Sequence, residues 1–203
     1  MERFKATFTF NDLKDEYCRY YLSILDRLDN ETDKGSDYSV IIDTILIYNR
    51  SFLRLLAAAD TYTAFAVVRL QLDNLIYLYA NFKYPEKRVL KAVFSGRDLN
   101  QIKVGGNALK HPELRKQLDE EYSTTIKKYF GDTTIDELFR KYCGYIHPSK
   151  LQADIPNDFY VDNKGNTLYL VSQQRKYAKD MIAINNLIGK LLKDILKDDK
   201  NQI

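Results

Sequence analysis

The sequence is poor in the residue types that build metal sites, disulfides and tight turns. Its 203 residues include two cysteines, two histidines, four prolines, eight glycines and no tryptophan. So few glycines and prolines argue against many short strands and favour long helices. Cys18 and Cys143 show no metal-ligand spacing, so we predict two reduced thiols of a cytoplasmic protein. Two histidines far apart also argue against zinc, and we expect no metal or other cofactor.

Long apolar runs and a strong net charge are absent as well. Residues 1–10 contain no apolar segment of the kind that marks a secretory signal. No apolar run reaches the roughly 18 residues that a membrane-spanning helix needs, so we predict no membrane partner. The 31 basic and 28 acidic residues give a net charge of +3. Any surface that binds nucleic acid must therefore be a local patch.

Hydrophobic spacing predicts a helical protein. Residues 62–82 are apolar on nearly every side, which is typical of the central helix of a bundle. Spacings of three and four predict further helices over residues 11–28, 41–59, 112–130 and 174–196, and another that ends near residue 147. The other predicted segments are an extended arm over residues 1–10, a loop over 30–36 and a short helix over 85–94. The predicted fold is an all-α bundle of about five to seven helices, in a single domain covering residues 1–203.

Glycine marks the few turns that the sequence contains. Residues 159–171 contain two β-rich runs around a glycine-containing turn, which predicts a small β-hairpin inserted between helices. Gly105 and Gly106 have neither the spacing of a phosphate-binding loop nor a strand before them, and we interpret them as a turn. Gly131 is predicted to cap the helix over residues 112–130.

The stretch 139–149 carries the residues best suited to chemistry. Pro148 disfavours the α region at His147, so a helix through Ile146 is predicted to stop there. Seven positions at about 100° each place Arg140 and His147 on one helix face, about 10.5 Å apart along the axis. An arginine binds negative charge and a histidine exchanges protons, a combination that suits a phosphodiester. The alternative is a solvated Arg140 and a His147 that serves as a C-terminal cap.

A second pair of polar residues lies on the predicted central helix. Arg69 and Asp73 are four positions apart and share a face of a helix that is otherwise apolar. If that helix is buried, both charges need partners, because unpaired buried ions are costly. One interpretation is an intrahelical ion pair, which contributes about 0.2–0.5 kcal/mol when exposed. The other is an internal polar pocket that also receives Tyr142 or His147.

The remaining histidine and the tyrosines have plainer interpretations. His111 precedes Pro112 at the end of the undecided segment 95–111, and we interpret it as structural or exposed. The sixteen tyrosines are able to stack on nucleic-acid bases. Their helical spacing favours packing in the core for most of them.

These motifs resemble the HEPN superfamily (higher eukaryotes and prokaryotes nucleotide-binding), and in particular its bacterial abortive-infection-like branch. HEPN proteins are helical bundles marked by an arginine and a histidine with four to six residues between them. Arg140 and His147 have six residues between them. The segment Tyr142–Ser149 is similar to a branch in which a tyrosine-containing helix ends at His-Pro. Arg69 and Asp73 are similar to the Arg-x-x-x-Glu of that branch's central helix.

The sequence departs from the family's pattern at identifiable positions. Lys141 follows the arginine where the family often has Asn, Asp or His, and Asp73 replaces the more usual glutamate. Ser149 stands where toxins modified by a partner nucleotidyltransferase carry a tyrosine. The hairpin near residues 160–171 would be an insertion.

The resemblance implies a metal-independent ribonuclease, a toxin or phage-defence effector, whose substrate is RNA. His147 would take a proton from a ribose 2′-hydroxyl or give one to the leaving oxygen, and Arg140 would stabilise charge on the phosphorus oxygens. Helical side chains lean toward the N-terminus, so Arg140 leans away from His147 within one chain. The family combines the motifs of two chains, so we expect a homodimer with residues 140–149 of both copies facing each other. An antitoxin or defence-system protein would be a further partner.

A different class of function is also compatible with the sequence. The alternative is a non-catalytic helical module that binds a small ligand in a pocket made by Arg69, Asp73 and His147. Such a module would otherwise bind a partner protein through its last helix, which repeats apolar residues at alternating spacings of four and three.

Overall fold

The structure is a computed structural model that describes residues 35–58, 60–146, 159–161, 167–169 and 171–200. The helices of this part are α1 (Gly35–Ala57), α2 (Thr61–Lys83), α3 (Val89–Phe94), α4 (His111–Glu121), α5 (Ser123–Phe130), α6 (Ile135–Ile146) and α7 (Val171–Lys200). Two short 3-10 helices, Pro85–Lys87 and Leu99–Gln101, lie on either side of α3. The predicted fold class, an all-α bundle with a small β-hairpin, is confirmed.

Several predictions fall on residues outside the described part. These are the arm over residues 1–10, the helix over residues 11–28 that includes Cys18, and most of the loop over 30–36. At its end, that loop prediction is wrong, because Gly35 begins α1. The sequence from Gly35 to Asp37 suits a helix start as well as a loop, since serine and aspartate favour both.

The helix α2 is central to the bundle, as its all-round apolar sequence predicts. It packs against α1, α3, α4, α6 and α7. Asp60 begins α2 by accepting a hydrogen bond from the backbone amide of Thr63 at 3.0 Å. Leu72, Leu75 and Ile76 are all 0% exposed. The position of every helix that contacts α2 is therefore set by packing against this one core element.

A buried chain of amide side chains connects α1, α2 and α7. The amide of Asn185 donates to Asn49 at 2.7 Å and accepts from Gln71, also at 2.7 Å. Asn74 donates to the carbonyl oxygen of Gln71 at 3.2 Å. Gln71 and Asn185 are 0% exposed, so a shift of one helix along another would leave buried polar atoms without partners. The chain of amides thus fixes the register of the three longest helices.

Tyr122 interrupts the predicted helix over residues 112–130. Its φ of −109° and ψ of 20° lie outside the α region and separate α4 from α5. The Tyr122 hydroxyl donates to Asp194 at 3.2 Å, and the ring lies 6.4 Å from that of Tyr79. Both contacts are tertiary, which is why hydrophobic periodicity does not reveal the break. Gly131 ends α5 with a φ of 66°, and this prediction of a glycine cap is confirmed.

The undecided segment between α3 and α4 contains a small hairpin. Strands β1 (Lys103–Val104) and β2 (Asn107–Ala108) pair antiparallel around Gly105 and Gly106. The predicted turn is confirmed, and its φ values of 56° and 86° explain why glycine stands at both positions. Strands of two residues are too short to show alternation, so the pairing itself was not predicted.

The predicted hairpin before the last helix is also present. Strands β3 (Phe159–Val161) and β4 (Thr167–Tyr169) pair antiparallel, with Tyr160 opposite Leu168. The final helix α7 extends beyond the predicted residues 174–196 at both ends. Within the described ranges, no helix is both long and apolar enough to cross a membrane.

Candidate functional site

The start of α6 is held in place from two sides. The carboxylate of Asp119, on α4, accepts hydrogen bonds from the backbone amides of Ile135 at 2.7 Å and Asp136 at 3.4 Å. Thr134 and Glu137 form a capping box, in which each side chain accepts from the other's backbone amide, at 2.9 and 3.1 Å. These bonds satisfy the first amides of α6 and orient the helix that carries Phe139 and Arg140.

Two arginines from different helices meet at the ring of Phe139. The guanidinium carbon of Arg69, on α2, lies 3.5 Å from the ring centroid, and that of Arg115, on α4, lies 3.9 Å from it. Arg115 also donates from Nε to Asp136 at 2.8 Å. A cation over an aromatic face is attracted by the ring quadrupole, more strongly when water is excluded. Phe139 therefore connects α2, α4 and α6 at one point.

Arg69 is the most connected of these residues. It forms an ion pair with Asp73, one turn further along α2, and donates from Nε to the sulfur of Cys143 at 3.1 Å. The two charged side chains are 15% and 18% exposed. Burial acts to lower the pKa of Arg69, but hydrogen bonds and charge from Asp73 and Cys143 outweigh it and raise the pKa. The structure thus contains the intrahelical pair and joins it to α6.

His111 completes the arrangement, although the sequence did not single it out for function. It occupies the first turn of α4, with Nδ1 3.9 Å from a carboxylate oxygen of Asp73. Its ring lies 5.5 Å from that of Tyr77 and 6.0 Å from that of Phe139. We refer to Arg69, Asp73, His111, Arg115 and Asp136 as the polar cluster. The sequence signals only a helix start at His111–Pro112. It does not signal the contact with Asp73, which lies 38 positions earlier in the chain.

The environment of His111 favours the neutral imidazole. Burial lowers the pKa of His111, and the charges of Arg69 and Arg115 lower it further, while Asp73 opposes them. Within the part of the chain that the structure describes, neither Nδ1 of His111 nor the nearer oxygen of Asp73 has a hydrogen-bond partner, and both atoms are buried. At 3.9 Å the imidazole nitrogen and the carboxylate oxygen are beyond direct hydrogen-bond distance.

A cleft of about 620 Å³ opens beside His111. Its walls come from the C-terminal half of α2, the end of α3, the following loop and the start of α4. The residues that line this cleft are Tyr77, Val93, Gly96, Arg97, Asp98, Leu99, Asn100, Leu109, Lys110, His111 and Pro112. Tyr77 and His111 form its link to the polar cluster, since they contact each other.

Arg140 lies at the solvent-facing edge of the same region. Its side chain is 77% exposed and pairs with Asp136, at 2.5 Å, one turn earlier on α6. The other oxygen of Asp136 accepts from the buried Arg115. One carboxylate therefore joins the exposed Arg140 to the polar cluster. The pair with Asp136 engages only part of the Arg140 guanidinium, so most of its five N–H donors can bind other acceptors.

Tyr142 is one of the two residues that the pocket interpretation brings to Arg69 and Asp73, and in the structure it bonds to α7. Its hydroxyl donates to Asp180 on α7 at 2.7 Å, and Lys141 pairs with the same carboxylate. The ring packs among Phe65 and Tyr177, at centroid distances of 6.3 and 6.5 Å. The residue of α6 that contacts Arg69 through a polar atom is instead Cys143, next in sequence.

Two predicted site residues, His147 and Ser149, lie outside the described residues. The described part of α6 extends to Ile146, directly before His147. Among the described residues, His, Cys, Asp and Glu form no group of three or more that could hold a metal ion.

The fold and the site define this protein as an all-α bundle with a half-buried, arginine-rich polar cluster at the junction of three helices. No protein-family model, curated protein or solved structure matches the chain.

Proposed function

We propose that this protein is a HEPN-like, metal-independent ribonuclease or RNA-binding effector of the toxin or phage-defence type, acting through Arg140 and His147. The observation that supports it most is the exposure of Arg140, 77%, on a helix that the structure follows to the residue before His147. Arg140 faces solvent, whereas the other arginines of the region, Arg69 and Arg115, are engaged inside the polar cluster. RNA, a large and flexible polyanion, therefore reaches Arg140 but not Arg69 or Arg115.

The chemistry assigned to each residue follows from its side chain. His147 takes the proton from the ribose 2′-hydroxyl, whose oxygen attacks the adjacent phosphorus. The bond from phosphorus to the 5′ oxygen of the next nucleotide breaks as that oxygen takes a proton from water. The products are a 2′,3′-cyclic phosphate and a 5′-hydroxyl. Arg140 donates to the phosphate oxygens as negative charge builds on them. The Arg140–Asp136 pair holds the guanidinium near the α6 surface before RNA binds.

A homodimer is part of the proposal. On one helix Arg140 and His147 are about 10.5 Å apart along the axis, and arginine leans away from the histidine. A single phosphate is too small to bridge that distance within one chain. With two copies of α6 related by a twofold axis, Arg140 of one chain approaches His147 of the other.

The test uses purified protein and single-stranded RNA in EDTA. We expect cleavage by the wild type, loss of cleavage in His147→Ala, and a reduction of about 10²-fold or more in Arg140→Met. Arg54→Met is the matched control, because Arg54 is an exposed arginine on α1. If the wild type binds RNA without cutting it, Arg140→Met should weaken binding while Arg54→Met leaves it unchanged. Cleavage that EDTA abolishes, or that survives in His147→Ala, contradicts the proposal.

The alternative is a non-catalytic helical module that binds a ligand or partner. It is favoured by one specific observation: buried polar atoms of Asp73 and His111, in the polar cluster, have no hydrogen-bond partner among the described residues. Such atoms are costly unless something else satisfies them. Failure of the wild type both to cut and to bind RNA would favour this second function. An antitoxin or defence-system partner remains part of the first proposal and would bind over Arg140.

A further inference from the structure

The cleft beside His111 is built by a hydrogen-bonded segment. Asp98 caps the 3-10 helix Leu99–Gln101, and the side chain of Gln101 accepts in return from the Asp98 amide at 3.3 Å. The Leu109 amide donates to Ile102 at 2.8 Å, which closes the β1–β2 hairpin onto the same segment. Leu99 and Leu109 are 5% and 6% exposed and anchor it to the core. The rim of the cleft is therefore formed before any ligand arrives.

Cations on this rim favour a negatively charged group. Arg97 is exposed, and within the described part of the chain its guanidinium has no ion-pair partner. Lys110 pairs only loosely with Glu113, at 3.4 Å, and its side chain is 62% exposed. The carboxylate of Asp98 also lines the cleft, where it accepts a capping bond, so two cations face one carboxylate. The start of α4, which has no side-chain cap, adds the partial positive charge of its first amides.

Part of the lining is aromatic. The rings of Tyr77 and His111 meet edge to face, with centroids 5.5 Å apart and planes at 66°. Nδ1 of His111 faces Asp73, and the His111 side chain also lines the cleft. Such a wall packs well against a planar ring and offers it one hydrogen bond. A volume of about 620 Å³ is within the usual range for small-molecule sites.

We propose that this cleft binds a small organic anion made of a planar ring and a phosphate or carboxylate. The ring packs against Tyr77 and His111, and the anionic group is bound by Arg97 and Lys110. The inference rests on neither Arg140 nor His147, so it stands or fails separately from RNA cleavage. It gives the polar cluster a role as the inner support of the cleft, since Asp73 lies 3.9 Å from Nδ1 of His111.

Isothermal titration calorimetry on the full chain tests the site with four probes. These are 5′-AMP and indole-3-acetate, which combine ring and anion, adenosine, which has the ring alone, and inorganic phosphate, which has the anion alone. We expect a ring-plus-anion probe to bind at least tenfold more tightly than adenosine or phosphate. Preference for AMP over indole-3-acetate assigns a phosphate ligand, and the reverse preference assigns a carboxylate. Absence of binding by both combined probes at millimolar concentration overturns the proposal, as does phosphate alone binding as tightly as AMP.

Two variants on exposed residues show where the probe binds. Arg97→Ala removes the unpaired guanidinium and should weaken binding by about tenfold to a hundredfold, as expected when a charge-assisted hydrogen bond is lost. Lys91→Ala is the matched control, because Lys91 is exposed on α3 and does not line the cleft. Equal affinities of Arg97→Ala and Lys91→Ala would overturn the assignment.

Substitutions at Tyr77 test the aromatic wall, and His147→Ala tests whether this site is independent of RNA cleavage. Tyr77→Phe keeps the ring and should bind like the wild type, whereas Tyr77→Leu should bind at least about fivefold more weakly because stacking is lost. Equal binding by the two Tyr77 variants would contradict the assigned role of the wall. His147→Ala should leave binding unchanged, which separates failure of this site from failure of the proposed function.

Discussion

Arg69 combines three interactions that are usually found apart: an ion pair, a cation–π contact and a hydrogen bond to a thiol. Its partners are Asp73 on its own helix, and Phe139 and Cys143 on α6. The guanidinium suits this position because its planar face stacks while its edge donates. A lysine at position 69 would supply the charge without the stacking or the directed Nε donor.

Replacing Arg69 by methionine should destabilise the protein by about 2 kcal/mol or more. The change keeps a long side chain on Phe139 but leaves Asp73, which is 18% exposed, without its cation. Urea unfolding measures the effect as a lower midpoint with an unchanged slope. Arg140→Met is the control and should change stability by no more than about 0.5 kcal/mol, since Arg140 is 77% exposed. Equal losses in the two variants would contradict the account.

A second change then isolates the ion pair. Adding Asp73→Asn to Arg69→Met should recover part of the loss, because the unpaired carboxylate is removed. If the double variant instead loses as much stability as the two single variants together, the two residues act independently.

His111 predicts a specific dependence of stability on pH. The pKa of His111 in the folded protein is lowered by burial and by Arg69 and Arg115, relative to its usual 6.5. Between the folded pKa and 6.5, the unfolded chain binds more protons, so stability falls as pH drops through this window. His111→Gln should therefore lose less stability than the wild type between about pH 7.5 and about pH 5.5.

Unfolding in urea at the two pH values measures that difference. For each protein, the free energy of unfolding at the lower pH is compared with its own value at the higher pH. A wild type and a His111→Gln variant that lose stability equally would show that His111 is not held neutral by its surroundings.

The residues of the site differ in how far the sequence predicts them. The pairing of Arg69 with Asp73 follows from helical spacing alone, since residues four apart lie on one face. The approach of His111 to Asp73 depends on how α4 packs against α2, which no local pattern encodes. For the same reason helical spacing does not tell which residue of α6 meets Arg69: the structure places Cys143 there, while Tyr142 bonds to Asp180.

Among the elements, α6 depends on its neighbours for a defined start. Its first two amides donate to Asp119 of α4 rather than to a residue of its own helix. The same two helices meet again through Arg115 and Asp136. The helix that carries Phe139 and Arg140 is thus fixed relative to α4 at its first turn, where small movements would be amplified along its length.

Asp119→Ala should destabilise the protein by about 1–2 kcal/mol, because two amides lose their acceptor. Burial raises the pKa of Asp119, although its hydrogen bonds to Ile135 and Asp136 oppose the shift. The folded state therefore favours a neutral group more than the unfolded state does. Asp119→Asn, which keeps one carbonyl oxygen, should retain most of the stability in urea unfolding.

The neighbouring Glu120 provides the control for Asp119. Glu120→Ala removes a carboxylate that is 65% exposed and only 3.9 Å from Lys116, and it should change stability by less than about 0.5 kcal/mol. If Asp119→Ala is no worse than Glu120→Ala, the cap contributes nothing to the fold.

The elements themselves could be predicted where the pattern is long. Helix α2 follows from more than twenty apolar-rich positions, whereas the β1–β2 hairpin consists of two-residue strands that carry no periodic signal. The break at Tyr122 depends on its contacts with Asp194 and Tyr79, and it is invisible in the sequence between α4 and α5. Predictions thus fail where a distant contact outweighs local preference.

For the whole molecule, the central prediction is that two chains share one site. One chain has a mass of 23.8 kDa, and light scattering after size exclusion should give twice that value for the wild type. A twofold arrangement is expected because residues seven positions apart on an ideal helix lie about 10.5 Å apart along its axis. A monomer at concentrations where RNA is cleaved would contradict this arrangement.

The most direct test of the account is the chemistry of the RNA ends produced in EDTA. Attack by a 2′-hydroxyl that His147 deprotonates predicts 2′,3′-cyclic phosphate and 5′-hydroxyl ends from the wild type. The same ends should be absent with His147→Ala and unchanged with Arg54→Met. Ends that carry a 3′-hydroxyl and a 5′-phosphate, or cyclic ends formed at the wild-type rate by His147→Ala, would contradict the proposed use of Arg140 and His147.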